Sequence, residues 1–304
     1  MTILIAGGTG LIGSRLTEML IANGHTVHIL SRQTIRNKEK VKFFKWNIGA
    51  DIEEGAFFKA GSEKPIDGII NLTGAGIADK RWTAKRKEEI IASRVEPAAF
   101  IESTLNRLQI KVPVYVSASG VNYYNNADEK KYVESDPVGT EFVQHVCELW
   151  EAQANQLKSV ANRVVCMRTG VVLAKKGSFL QKFTATTHLF VAGVFGSGKQ
   201  YLSWIHIDDL CAFYMHALNN SEMNGAYNAA ICDEETHVTF LKKYKQSSGK
   251  RFVIIPAPVF IAKLVFGEMA TLLTDGVAVS NQKMLNSGFQ PTYNSVEKAV
   301  IDLV

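Results

Sequence analysis

The stretch Ile3-Leu4-Ile5-Ala6-Gly7-Gly8-Thr9-Gly10-Leu11-Ile12-Gly13 decides the fold. A short apolar run ends in glycines at a G-x-x-G-x-x-G spacing, and a segment with an apolar stripe at Leu11, Leu16, Leu20 and Ile21 follows at once. Strand, tight turn and helix is the order this predicts. Glycine in the turn admits backbone angles closed to other residues, and the helix start offers free N–H groups at the positive end of its dipole. Glycine at the third position also lets helix and strand pack closely. A turn of this kind also occurs without a ligand. The preceding strand, the spacing and the following helix favour an anion, with Gly7, Thr9, Gly10, Leu11, Ile12 and Gly13 as the residues around a pyrophosphate.

Outward from the turn, short runs at 3–6, 27–30, 41–46, 68–72, 114–117 and 164–168 alternate with helix-length segments. Strands separated by helices predict a Rossmann-type α/β fold with a doubly wound parallel sheet. The long helical segment 83–108 contains Pro97, which is expected to kink or split it. After Gly170 the rhythm changes, with a glycine- and serine-rich passage at 193–198, strands near 201–205 and 225–229, and helices near 208–218 and 258–273. We read residues 1–170 as the dinucleotide-binding domain and 171–304 as a smaller C-terminal α/β substrate lobe interleaved with it.

The second strand ends His28-Ile29-Leu30-Ser31-Arg32, where a protein selecting NAD usually presents an acid to the ribose 2′-hydroxyl. Here Arg32 offers a guanidinium and Ser31 a hydroxyl, with Arg36 and Lys38 nearby, so NADP(H) is the cofactor expected. A solvated arginine at a strand end is the plainer alternative.

The 304 residues are 46% hydrophobic, enough for a large core, and 34 basic against 29 acidic residues leave a net charge of +5. That excess does not argue for nucleic acid. Cys147, Cys166, Cys211 and Cys232 stand far apart without metal-type spacing, so reduced core thiols and no metal are expected. No export signal follows the first strand, and the apolar stretch 253–266 is broken by Pro256, Pro258 and Lys263. A cytoplasmic protein without a membrane span is therefore expected.

Eight segments in order carry a family resemblance: GGTGLIG (7–13), NLTGAGI (71–77), RWTAKRKEEIIASR (81–94), SASGVNYY (117–124), CELWEAQA (147–154), RTGVVL (168–173), SWIHIDDL (203–210) and GF (288–289). The sequence resembles the extended short-chain dehydrogenase/reductase superfamily. Within it, the likeness is to an atypical epimerase-like family often labelled as nucleotide-sugar epimerases or cell-division-inhibitor-like proteins. The resemblance implies an NADP(H) lobe and a small substrate lobe. It also implies that Asn71 to Gly74, with Leu72, Thr73 and Gly74 as cofactor contacts, close the cofactor site from the fourth strand and that Ser117 to Ser119, with Ser117 as the cofactor contact, line its nicotinamide side from the fifth.

Catalytic members of that superfamily use Tyr-x-x-x-Lys on a helix, where the ammonium assists the phenol in proton transfer. None of the nine tyrosines here has lysine four residues on. Three other residues are candidates for the chemistry: Ser119, a substrate-orienting hydroxyl or a turn serine; Tyr124, a phenol just beyond it; and Glu151, a general base in an apolar site beside Trp150 or an ordinary helix carboxylate. Arg81 and Trp82, with Lys85 and Arg86 beside them, are candidates for holding an acidic substrate. His206 is a further candidate for the substrate side, and Asp208 reads as a helix N-cap. Two functions stay open. One is an NADP(H)-dependent oxidoreductase or epimerase with a small-molecule substrate between the lobes, and the other is a nonenzymatic NADP(H)-binding regulator. The helical faces 83–108 and 141–158 leave a homodimer open.

Overall fold

The computed structural model describes residues 1–125, 130–177, 179–231 and 234–304; Cys232 lies outside them. In chain order the strands are β1 (Thr2–Ala6), β2 (Thr26–Ser31), β3 (Val41–Asn47), β4 (Asp51–Ile52), β5 (Gly68–Asn71), β6 (Val112–Gly120) and β7 (Lys131–Tyr132). They continue as β8 (Ala161–Thr169), β9 (Val171–Leu173), β10 (Val191–Phe195), β11 (Trp204–His206), β12 (Gly225–Ala229), β13 (Val253–Ala257) and β14 (Ala278–Val279). The α-helices are α1 (Leu11–Ala22), α2 (Ala84–Arg107), α3 (Phe142–Gln156), α4 (Phe179–Phe183), α5 (Ile207–Asn219), α6 (His237–Ser248), α7 (Val259–Phe266), α8 (Thr271–Thr274), α9 (Gln282–Asn286) and α10 (Val296–Leu303).

The main sheet has the order β12-β8-β6-β5-β1-β2-β3-β4. Its pairings are parallel except for the short antiparallel β3–β4 edge. The chain winds from β1 outward through β2 and β3, then returns to β5 on the other side of β1. The order therefore reverses between β1 and β5, and in open sheets of this kind ligands bind at that point, beyond the carboxyl ends of the strands.

Alternation along each strand supplies two cores. Ile3, Ile5, Val27 and Ile29 face α1 and α5 through Leu16, Leu20, Leu210, Phe213 and Tyr214. Leu4, Ala6, Ile69 and Tyr115 face the other way, against Ala98, Ile101 and Leu105 of α2 and Ala154 of α3. A sheet covered on both faces accounts for the near-continuous apolar strands.

Three expectations need correction. Of the kink or split expected at Pro97, the split does not occur: α2 runs from Ala84 to Arg107 with Pro97 inside it. Burial of Ile101 and Leu105 contributes about 1.5–3 kcal/mol each, enough to offset the roughly 3 kcal/mol a helical proline costs. The expected helix at 258–273 is broken at Gly267, whose φ is +63°, into α7, a 3₁₀ turn at Gly267–Ala270 and α8. The cap of α5 is His206, whose imidazole accepts from the Asp208 N–H at 3.2 Å. The Asp208 carboxylate is instead taken by Arg15 of α1, at 2.7 and 2.8 Å.

The second lobe has its own core, with Trp204, Phe240, Leu241, Tyr244 and Val300 at its centre. It is threaded through the first: β12 lies beyond residue 170 and completes the main sheet beside β8, while α5 packs on the β1 face.

Candidate active site at the carboxyl edge of the sheet

The β1–α1 turn leaves room for backbone only. Gly7 has φ +80°, and a Cβ there would stand 2.8 Å from the Leu72 carbonyl. At Gly13 a Cβ would meet the Gly7 oxygen at 2.4 Å and the Gly8 Cα at 2.6 Å. Gly10 caps α1 without a side-chain hydrogen bond, and the first turn contains no acid. The N–H groups of Leu11, Ile12 and Gly13 therefore start the helix without an intrahelical acceptor, next to exposed Thr9, Gly10 and Leu11. Such a helix start is free to accept an anion.

Its neighbours at the strand ends are arranged to match. Arg32 is exposed and has no hydrogen bond or ion pair among the described residues. Ser31 is buried, and its Oγ accepts from the Gln33 N–H at 3.1 Å. The Leu72 N–H donates to the Ala6 carbonyl at 2.8 Å, fastening the β5 loop to β1. Buried Asn71 shapes that loop: its Oδ1 accepts from the Thr73 N–H at 3.1 Å and hydroxyl at 2.6 Å, while its amide donates to the Tyr115 hydroxyl at 2.9 Å. Gly74 is exposed just beyond. Ser117 departs from expectation, since it is fully buried and its hydroxyl donates to the Ala118 carbonyl.

Ser119, Tyr124 and Glu151 come together in one polar network around Arg168, which the sequence reading had not assigned. Parallel pairing of β6 and β8 sets Ser119 opposite Arg168. The Ser119 hydroxyl donates to Glu151 Oε1 at 2.7 Å, and Arg168 grips both Glu151 oxygens at 2.8 Å. Arg168 Nη1 also donates to the Tyr124 hydroxyl at 2.8 Å, and that hydroxyl donates to Asn228 Oδ1 at 2.8 Å. The guanidinium lies 3.5 Å from the Tyr123 ring centre. A bidentate, charge-assisted pair of this kind is among the strongest hydrogen-bonded arrangements in proteins.

Two readings change as a result. Glu151 does not sit in an apolar site: it is the counter-ion of Arg168 and the acceptor for Ser119. Tyr124 is fully buried, and burial pushes its phenol up to about 12 against the opposing pull of Arg168. Both its hydrogen-bonding roles are filled, which makes it a support for Arg168. Cys147, beside Gly120 on α3, is likewise pushed up to about 12 by burial and stays a thiol.

The substrate-side candidates divide. Trp82 is half-buried and gives its indole N–H to the Ile77 carbonyl at 2.9 Å, with its ring edge-on to Phe142 at 5.0 Å. It fixes the loop after β5 instead of offering a donor to a ligand. Arg81 is exposed and lies against Gly267 of the second lobe. The Lys87–Glu268 ion pair joins the lobes at the same place. His206 is not a substrate contact: it is 1% exposed, caps α5 and stacks on Tyr293 at 3.7 Å. Burial lowers its pKa. Among the described residues no group of three or more His, Cys, Asp or Glu is placed to hold a metal, and no helix is long and apolar enough to cross a membrane.

Turn, switch point and strand-end arginine define a Rossmann-type dinucleotide-binding class. The chain belongs to the NAD dependent epimerase/dehydratase family, whose model matches residues 3–230. A domain of unknown function, DUF1731, matches residues 257–303. The epimerase family protein YfhF of Bacillus subtilis is 31% identical over 100% of this chain and 98% of its own. Human epimerase family protein SDR39U1 is 30% identical over the whole of both chains. The crystal structure of human SDR39U1 isoform 2 with NADPH superposes with a TM-score of 0.87 at 28% identity, covering 100% of this chain and 99% of that one. A UDP-glucuronic acid 4-epimerase from Bacillus cereus shares the fold, with a TM-score of 0.78 at 16% identity over 100% and 98% of the two chains.

Proposed function

We propose that the chain binds NADP(H) along the carboxyl edge of the sheet and catalyses hydride transfer on a small polar or nucleotide-linked substrate held between the lobes, as an oxidoreductase or an epimerase. The β1–α1 turn carries this reading, because Gly7 and Gly13 admit only backbone and the first N–H groups of α1 have neither an acid in the first turn nor a side-chain cap. The unpartnered Arg32 supports NADP(H) over NAD(H), and so does the NADPH in the human relative's structure. Gly7 to Gly13 would hold the pyrophosphate, Arg32 the 2′-phosphate, and Leu72 to Gly74 the near wall. When bound, the cofactor supplies a hydride donor or acceptor.

The chain's own contribution is proton handling. On oxidation of an alcohol, Ser119 Oγ takes the substrate hydroxyl's proton as its own proton passes to Glu151 Oε1. Arg168 remains charged beside the carboxyl group, held by Tyr124. Purified protein with NADPH or NADP⁺ should turn over at least one member of a panel of carbonyl compounds and nucleotide sugars. Ser119→Ala should cut that rate roughly 100-fold or more while leaving NADPH affinity unchanged.

One observation favours a second reading, a nonenzymatic NADP(H)-dependent regulator: the site phenol, Tyr124, is buried and fully engaged, and no tyrosine is followed by lysine four residues on. A partner captured only by the NADPH-loaded protein, with no turnover across the panel, would select it.

A further inference from the structure

Arg94, in the third turn of α2, is 8% exposed and has no carboxylate partner among the described residues. Its Nη1 donates to the Ala75 carbonyl at 3.1 Å and the Ile90 carbonyl at 3.0 Å, with Ser93 Oγ at 3.4 Å. Its guanidinium lies over the Trp150 ring at 4.9 Å. Nε and Nη2 make no hydrogen bond among the described residues, and neither is sealed from solvent. The nearest ionisable groups acting on it are Cys147, a neutral thiol, and Arg86, another cation; burial lowers its pKa. Arg86 differs, since Glu89 neutralises it at 2.8 Å. A buried charge without a counter-ion is costly, and carbonyl dipoles with one aromatic face compensate it only in part.

Gly74, at the loop after β5, lies against the Arg94 guanidinium. A Cβ at Gly74 would stand 3.2 Å from the guanidinium carbon, so the absence of a side chain there brings the charge up to the exposed loop at the end of β5. On its other flank are Cys147 and Trp150 of α3. Cys147 in turn lies against Gly120 at the end of β6, with its Sγ 3.7 Å from where a Gly120 Cβ would stand. Arg94 thus stands between the loop after β5 and the end of β6, the strand end that also carries Ser119. The cofactor's phosphates already have the start of α1.

We infer that Arg94 is the anchor for an anionic group of the substrate, a carboxylate or a phosphate, in the wall formed by Gly74, Trp150 and Gly120. The inference rests on the substrate-between-lobes reading and narrows it to acidic substrates. Arginine's planar fork suits such groups, with Nε and Nη2 presenting two parallel donors.

Trp150 makes the site readable. In protein labelled with 5-fluorotryptophan and saturated with NADP⁺, the four tryptophans give separate fluorine resonances, and Trp150→Phe identifies the relevant one. Titration with acetate or inorganic phosphate at constant ionic strength should move the Trp150 signal saturably with at least one of them. Arg94→Lys should retain the response at roughly tenfold weaker affinity, and Arg94→Gln should abolish it while calorimetry shows NADPH binding intact. A Trp150 signal that stays still in the wild type, or moves equally in Arg94→Gln, overturns the inference. A response present without cofactor and suppressed by NADP⁺ assigns the anion to the cofactor's own phosphates and also overturns it. Failure of NADPH to bind the wild type would defeat the cofactor reading separately, since the anion response is still measured in the cofactor-free protein.

Discussion

The β1–α1 turn and the β6–β8 network lie at the same edge of the same sheet and treat their polar groups in opposite ways. In the turn, the first N–H groups of α1 have no side-chain cap and no acid in the first turn, and two glycines keep side chains out. In the network, Ser119, Glu151, Arg168, Tyr124 and Asn228 are buried and bonded to one another. Unsatisfied donors at a surface mark a place built for a ligand. Saturated ones mark a frame that fixes a single hydroxyl, that of Ser119, in position.

The largest way to break the comparison is to unbalance the frame. Arg168→Met leaves the Glu151 carboxylate buried and alone, and should cost about 3–5 kcal/mol in urea unfolding. Adding Glu151→Leu should restore most of it. A loss under about 1 kcal/mol for the single variant would show that the pair is not the buried element described. The turn is tested next. A side chain from Gly13→Val has nowhere to go against the Gly7 carbonyl, so NADPH affinity should fall on the order of 100-fold by calorimetry. The cost to folding should be only about 1–3 kcal/mol.

Acid separates the two regions by a smaller margin. Burial lowers His237 of the second lobe from 6.5 to about 4. Between those values the unfolded chain binds a proton that the folded chain refuses, so stability falls as pH falls. The contribution is complete above pH 6.5 and is reduced by about 2 kcal/mol at pH 5. His237→Gln should flatten that part of the unfolding profile. Residues 7–13 carry no group that titrates in this window, so the variant should leave NADPH affinity at pH 7 unchanged.

The parts legible in the sequence are those whose signals are local. Strand, glycine turn and helix are contiguous, and Arg32 follows the next strand, so spacing alone was enough to read these elements. The network was legible only in pieces. Ser119 and Glu151 were marked by their positions, but Arg168 joins them through β6–β8 register, and no spacing within either strand reports that. Asp208 misled because aspartate is a favoured cap, while its carboxylate is taken by Arg15, nearly two hundred residues earlier in the chain. Arg94 lay inside a quoted segment yet carried no signal, since the missing counter-ion is a fact of packing.

Calorimetric titration of the wild type and Arg32→Glu with NADPH and NADH tests whether Arg32 holds the 2′-phosphate. The wild type should bind NADPH at least about tenfold tighter than NADH, near 1.4 kcal/mol, and Arg32→Glu should remove the preference by weakening NADPH alone. Equal affinities in the wild type, or equal losses for both cofactors in the variant, would contradict it.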